Sequence, residues 1–328
     1  MRKHVLLLAV LSTMSACLLP ALPARASLLT KAWVSNTGTD SLICGAITLP
    51  CATFQRAHDN VFAGGEIGVL TPGDYGQLAI IKSVNITNDG TGEASVLSGG
   101  IGISIGASAG DIIILRGLVI DGQVGGSIGI SIGVSSAVHI QNCVIRNFEA
   151  SGIGQGFGIK MNLGTNTQLF VSDSIIFNNG ANAGSGGILI QPTGGGGNAN
   201  VVLDRVHLEN NVIGLIVDGA GGTGNGAHVV VRDSVVSGNF SDGIRATSLA
   251  GKAPAFVVVE RTSAVNNAGT GLQADGPRAT MLLNDDTITR NGTGISAVNG
   301  GQLITYGTNL IDNNIGADGT PTGSFTLN

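Results

Sequence analysis

Asp218, Arg245 and Asp275 fall on three successive repeats of this 328-residue chain, each just after a Gly-aliphatic step at Gly214, Gly243 or Gly271. Paired carboxylates can cleave a glycosidic bond, one serving as acid and the other as base or nucleophile. If each repeat adds one strand layer, the two acids stand roughly 9 to 10 Å apart, the upper limit for inversion and too wide for retention. An Arg between two acids also lowers both carboxylate pKa values, which works against a general acid. The three residues therefore read first as an exposed ion-pair triad and second as an acid-base pair.

Their neighbours sharpen this reading. The outward positions after the Gly-aliphatic step run Ser131, Lys160, Leu189, Ile216, Arg245, Gln273 and Ser296, where Lys160 follows from aligning Gly158 rather than Gly152. Two residues on come Asn162, Gln191, Asp218, Thr247 and Asp275. Lys160 and Gln273 would be substrate contacts if Asp218, Arg245 and Asp275 were catalytic. Leu189 and Ile216 interrupt the polar stripe, and the repeats carry no aromatic platform of the kind that pairs an apolar face with a polar edge. Trp33 and Tyr75 lie near one end of the chain and Tyr306 near the other. No two of His4, His58, His139, His207 and His228 have metal-ligand spacing, so the sequence gives no support for a zinc or triad mechanism, and no cofactor is evident.

The elements that would position these residues are repeats of one phrase: an apolar pair at i and i+2, a turn, a second apolar pair, an Asn, then Gly and an aliphatic residue. Copies begin near Ile112, Val138, Leu169, Val201, Val229, Val257, Met281 and Leu303, at intervals of 22 to 32 residues. Such a period signals a solenoid, and three short strands per repeat without helical periodicity make each repeat one coil of a parallel β-helix. The fold class is all-β. Pairs such as Ile112 and Ile114, or Val229 and Val231, should stack inside the coils. Arg116, Asp173, Arg205, Asp233, Arg261 and Asp285 form an alternating column expected to be a solvated salt-bridge ladder. Asn179, Asn211, Asn239, Asn267, Asn291 and Asn313 form a structural column suited to tight left-handed bends and coil-to-coil amide bonding. Cys143 shares a column with Gly117, Ser174, Val206, Ser234 and Thr262, which marks it as a small buried residue rather than a nucleophile.

Arg2, Lys3 and His4 precede an apolar run, and Ala24 and Ala26 place small residues at minus three and minus one, so residues 1–26 read as a secretory signal peptide cut near Ala26. A lipoprotein box around Cys17 is imitated only in part, because the residues after it stay apolar. No later stretch reaches the roughly 18 apolar residues of a membrane span, so the mature chain is expected to be exported, periplasmic or extracellular. In that compartment Cys44 and Cys51 favour a disulfide over a metal site. A formal charge of −5 without a basic cluster excludes nucleic acid as a natural partner. Residues 27–76 form an N-terminal cap and first strand, with a short amphipathic helix over 53–62, and residues 77–328 form the coils. Residues Gly316 to Asn328 offer few apolar side chains other than Phe325 to cover the terminal coil, which invites oligomerisation or weak aggregation.

Pro50-Cys51-Ala52-Thr53-Phe54, Gly64-Gly65-Glu66-Ile67, Pro72-Gly73-Asp74-Tyr75-Gly76 and Lys82-Ser83-Val84-Asn85-Ile86 resemble the N-terminal part of secreted right-handed parallel β-helix proteins of the pectin-lyase-like superfamily. The repeats resemble those of the same group, and together they cover essentially the whole mature chain. The resemblance implies right-handed coils and leaves function open among lyases, hydrolases and adhesins. Of the polygalacturonase motifs only adjacent acids occur, Asp285 and Asp286, and they do not follow a Gly-aliphatic strand. Calcium is implied only if the chain resembles the lyases in activity, and their motifs do not match here residue by residue. The expectation is thus a structural solenoid that acts as an extracytoplasmic binding or surface protein for a polysaccharide or cell-envelope glycan. The rival is a divergent polysaccharide lyase or glycoside hydrolase.

Overall fold

In the computed structural model, which describes residues 28–123 and 125–325, the chain winds through about nine turns of a parallel β-solenoid with three faces. The leader expected over residues 1–26 lies outside the described residues. A representative coil runs Gly226–Arg232 on the first sheet, Val235–Ser237 on the second and Ile244–Thr247 on the third, then returns at Ala255–Glu260 one layer on. The three sheets contain twelve, ten and nine strands, and every strand pairing is parallel. In the representative coil Val229, Val231, Val236, Ile244 and Ala246 point inward, each at most 1% exposed. Repetition of such positions from Ala32 to Leu303 makes one continuous core.

The coil depends on a stacked amide column. Asn239 accepts the Asn211 N–H at its Oδ1 (3.0 Å). Its own Nδ2 donates to the Leu208 carbonyl (3.2 Å) and to Asn267 Oδ1 (2.7 Å), which also accepts the Asn239 N–H. The pattern begins at the Phe148 N–H, passes through Asn179, Asn211, Asn239, Asn267 and Asn291, and closes on Asn314 and the Asp318 carboxylate. The last amide is thus Asn314, not Asn313. Asn313 holds the left-handed position one residue earlier (φ 60°), as Asn178, Asn210 and Asn266 do in their coils. The bend and the ladder are neighbouring residues with separate tasks. Glycine follows because the amide fills its space: a Cβ on Gly243 would lie 2.9 Å from Asn267 Nδ2 and 2.6 Å from the Gly271 carbonyl.

A second column of turns joins the first sheet to the second. Asn142, Asp173, Arg205, Asp233, Arg261 and Asp285 all have φ between 48° and 59°, and Gly117 precedes them in the same conformation. Arg116 therefore belongs one residue earlier, at the strand end opposite Gln141. Leu118, not Gly117, consequently shares the buried column of Cys143, because Val119 pairs with Val144. The inward pair of that first repeat shifts in the same way: Ile113 and Leu115 are fully buried, while Ile112 is 49% exposed.

At the N-terminal end the helix is Phe54–Asn60, shorter than the 53–62 span read from spacing. Thr53 caps it by accepting the Arg56 N–H, and Asp40 accepts the N–H groups of Ala52 and Thr53. Phe54 packs on Tyr75 at 4.9 Å between ring centroids. Val61 and Phe62 instead open the strand Val61–Val69 beside Leu29–Val34, because their extended backbone completes the first sheet. Cys44 and Cys51 are joined by a disulfide that closes the loop before the helix.

Asn239→Ala should cost on the order of 3 kcal/mol, since it leaves the Asn211 N–H and the Leu208 carbonyl buried without partners. Denaturant unfolding measures this. A cost below about 1 kcal/mol would show that the coils do not depend on the amide column.

Candidate functional site

The outer face of the third sheet carries the residues singled out from the sequence. Strand pairing places Ser131, Lys160, Leu189, Ile216, Arg245, Gln273 and Ser296 in one column. Asn162, Gln191, Asp218, Thr247 and Asp275 occupy the adjacent polar row, with Asp218 opposite Thr247 and Thr247 opposite Asp275. Alignment on Gly158 thus gives the register of Lys160.

The contacts within the stripe differ from a triad. Arg245 does not bridge Asp218 and Asp275; its Nε donates to Asp242 Oδ2 at 2.7 Å, within its own coil. Asp242 is buried beside Gly243, and its other oxygen accepts the Thr270 N–H, so it offers Arg245 a fixed, desolvated partner. Asp218 accepts from Gln191 Nε2 (2.7 Å) and from the Ala220 N–H (2.8 Å), while Asp275 accepts from Asn299 Nδ2 (2.8 Å). Asn162 in turn donates to Gln191 Oε1 (2.9 Å), which makes a short amide-carboxylate relay along the row. Gln273 stands one layer beyond Arg245.

Lys160 leans over the Phe157 ring and donates to the Gly154 carbonyl at 2.8 Å. Partial burial holds its amine below the usual lysine range. Leu189 and Ile216, outward in register, are each only 6% exposed because they pack with Phe157 and Ile213 in a small cluster separate from the main core. Nothing in the repeat spacing marks Phe157 and Ile213 as closing over this face. Beside it, loops 151–155 and 182–185 border a cavity of about 310 Å³, tied by Asn182 Nδ2 to the Ser151 carbonyl.

Calcium requires six to eight oxygen ligands around one point. Asp218 and Asp275 are two layers apart with Thr247 between them, and each accepts a hydrogen bond from a neighbouring amide side chain, so the stripe does not fit that ion. Among the described residues the one cluster of metal-ligating side chains is Asp40, Cys44 and Cys51, and its sulfurs are bonded to each other.

The charged column is a surface ladder. Arg205 grips Asp173 with Nε (2.7 Å) and a terminal nitrogen (3.0 Å) and also bonds Asp204, which Arg232 reaches from the next coil. Arg261 does the same with Asp233 and Glu260. Hydrogen bonds from Arg205 and Arg261 hold the Asp173 and Asp233 carboxyls below the usual range. Asp285 and Asp286 lie in this column and the buried column beside it. Asp286 accepts the Thr262 N–H (2.9 Å) and the Asn284 N–H (3.1 Å), and burial pushes its carboxyl up to about 7.

Residues 181–315 match the family described as right handed beta helix region. No curated protein matches the sequence. Two similar solved structures are the pectate lyase Pel9A and the alginate lyase from Paenibacillus sp. str. FPU-7. The first is 15% identical over 89% of this chain and 80% of its own, with a TM-score of 0.62. The second is 16% identical over 89% of this chain and 97% of its own, with a TM-score of 0.54. The class is therefore the right-handed parallel β-helix. At these identities the likeness is one of fold.

A raised carboxyl favours the fold while protonated. The contribution of Asp286 is full below the ordinary aspartate value near ~4 and is lost as pH rises through about 7, a difference of roughly 4 kcal/mol. Asp286→Asn should flatten the dependence of stability on pH between those values. Parallel slopes in the two proteins, from thermal unfolding across that range, would remove Asp286 as the cause.

Proposed function

We propose that the protein is an extracytoplasmic glycan-binding β-helix that holds a polysaccharide along the outer face of its third sheet without cleaving it. The observation that carries this reading is the row Asn162, Gln191, Asp218, Thr247 and Asp275, stepped one strand layer apart beside the apolar pair Leu189 and Ile216. Amides, a hydroxyl and carboxylates offer donors and acceptors to sugar hydroxyls. The fold is shared with proteins whose names give pectate and alginate as substrates, which supports a polysaccharide as the ligand class. Lys160 and Gln273 flank the row as contacts.

Turnover would require groups free to exchange protons. Asp218 and Asp275 each accept a neighbouring amide, and Arg245 is occupied by Asp242, so the arrangement supports binding over cleavage. The disulfide between Cys44 and Cys51 supports an oxidising compartment and agrees with the leader read over residues 1–26.

Affinity electrophoresis against neutral and acidic polysaccharides, with parallel assays for unsaturated products and new reducing ends, tests the proposal. Saturable retardation without products is expected, and Gln191→Ala with Thr247→Ala should weaken it about tenfold, the loss of one or two hydrogen bonds. Product formation abolished by Asp218→Ala would replace this reading with a lyase or hydrolase.

A further inference from the structure

The first sheet has an outer face that the binding row does not use. Strand pairing stacks Ile114, His139, Phe170, Val202, Val230, Val258, Leu282 and Ile304 into one outward column. All eight are partly exposed, and His139 lies flat on Phe170 with ring centroids 4.7 Å apart. Inward residues flank them in sequence, so the strands read as unbroken apolar runs: Val229-Val230-Val231, Val257-Val258-Val259 and Met281-Leu282-Leu283. Runs of this kind belong to parallel strands covered on both faces. Mostly polar columns border the stripe, Gln168, Asn200, His228, Phe256 and Thr280 on one side and Asp204, Arg232 and Glu260 on the other. An apolar centre inside a polar rim is the anatomy of a protein interface.

We propose that this face pairs with the same face of a second copy of the chain, the two solenoids running antiparallel about a two-fold axis. Two observations select that occupant. Eight layers about 4.8 Å apart and strands of roughly 18 Å give about 600 Å² per copy and about 1,200 Å² in all, the lower bound of a stable interface. The rim also matches itself. Asp204, Arg232 and Glu260 alternate in sign at one-layer steps, and the buried Asp204 is already bonded by Arg232 of its own copy; an axis between those two layers overlaps all eight layers and sets the two Asp204–Arg232 pairs side by side in opposite order. An axis through a layer would oppose like charges. Full overlap of the eight layers and alternation of charge together select this register.

Sedimentation velocity of the purified chain over a concentration series tests this, with circular dichroism to confirm the fold. The wild type should be dimeric. Val230→Glu and Val230→Lys should each raise the dissociation constant at least a hundredfold while leaving the spectrum unchanged, because the side chain points away from the core. Mixing these two variants should restore a dimer, since position 230 of one copy then lies one layer from the opposite charge at position 230 of the other, which a merely misfolded variant could not do. A wild-type chain that stays monomeric throughout, or a dimer indifferent to both substitutions, overturns the proposal. Glycan retardation of the monomeric variants keeps this outcome separate from the function proposed for the third sheet.

Discussion

Each ladder Asn places a single side-chain amide where two buried backbone groups would otherwise lack partners. The turn from the second sheet to the third interrupts strand pairing, so its N–H and carbonyl groups point into a region closed to water. An unpaired group there costs about 1–3 kcal/mol, and an amide alone among neutral side chains of this size offers both donors and an acceptor. Asn239 takes the N–H of the coil before it and gives to a carbonyl of that coil and to the next amide. The coils are therefore coupled along the axis by side chains as well as by sheet bonding. Phe148 and Asp318 end the ladder with a ring that needs no partner and a carboxylate that accepts twice.

The left-handed turn after the first sheet has the opposite character. It is solvated, so its side chains need no internal partner and the positions tolerate charge. A left-handed backbone costs a non-glycine residue about 1 kcal/mol or more, and Arg205 and Arg261 occupy it nonetheless. What compensates is local: the N–H of each turn residue is bonded to the next coil, as Arg205 to the Arg232 carbonyl, and the side chains bridge to acids one layer back. Exposed pairs of this kind contribute little individually. Their consequence is on register, because a shift by one layer would put like charges together.

Much of this organisation was legible in the sequence, and the failures have physical causes. Gly158 and Lys160 could be aligned because a glycine forced by the amide beneath it is an unambiguous marker. Ile112 misled because Ile112-Ile113-Ile114-Leu115 contains no polar residue to set the phase of alternation. Asn313 and Asn314 are identical in type, and only the backbone distinguishes the bend from the ladder. The pairing of Arg245 with Asp242 was hidden because Asp242 precedes the strand, at a position that carries Ile213 in the previous coil and Thr270 in the next. The apolar outer face lies within unbroken runs such as Val229-Val230-Val231, where inward and outward residues are of one type and alternation marks no second face.

The fold shared with a pectate lyase and an alginate lyase carries the candidate row on the outward residues of a few layers. Here those layers hold Leu189 and Ile216 closed over by Phe157 and Ile213, beside acids already bonded to amides. Both carboxylates are thus held in place as hydrogen-bond acceptors by neighbouring amide side chains. The one strongly raised carboxyl, Asp286, is turned inward under the first turn, where its partners are backbone N–H groups and no sugar could reach it. The molecule thus separates its perturbed acid from its outward polar row.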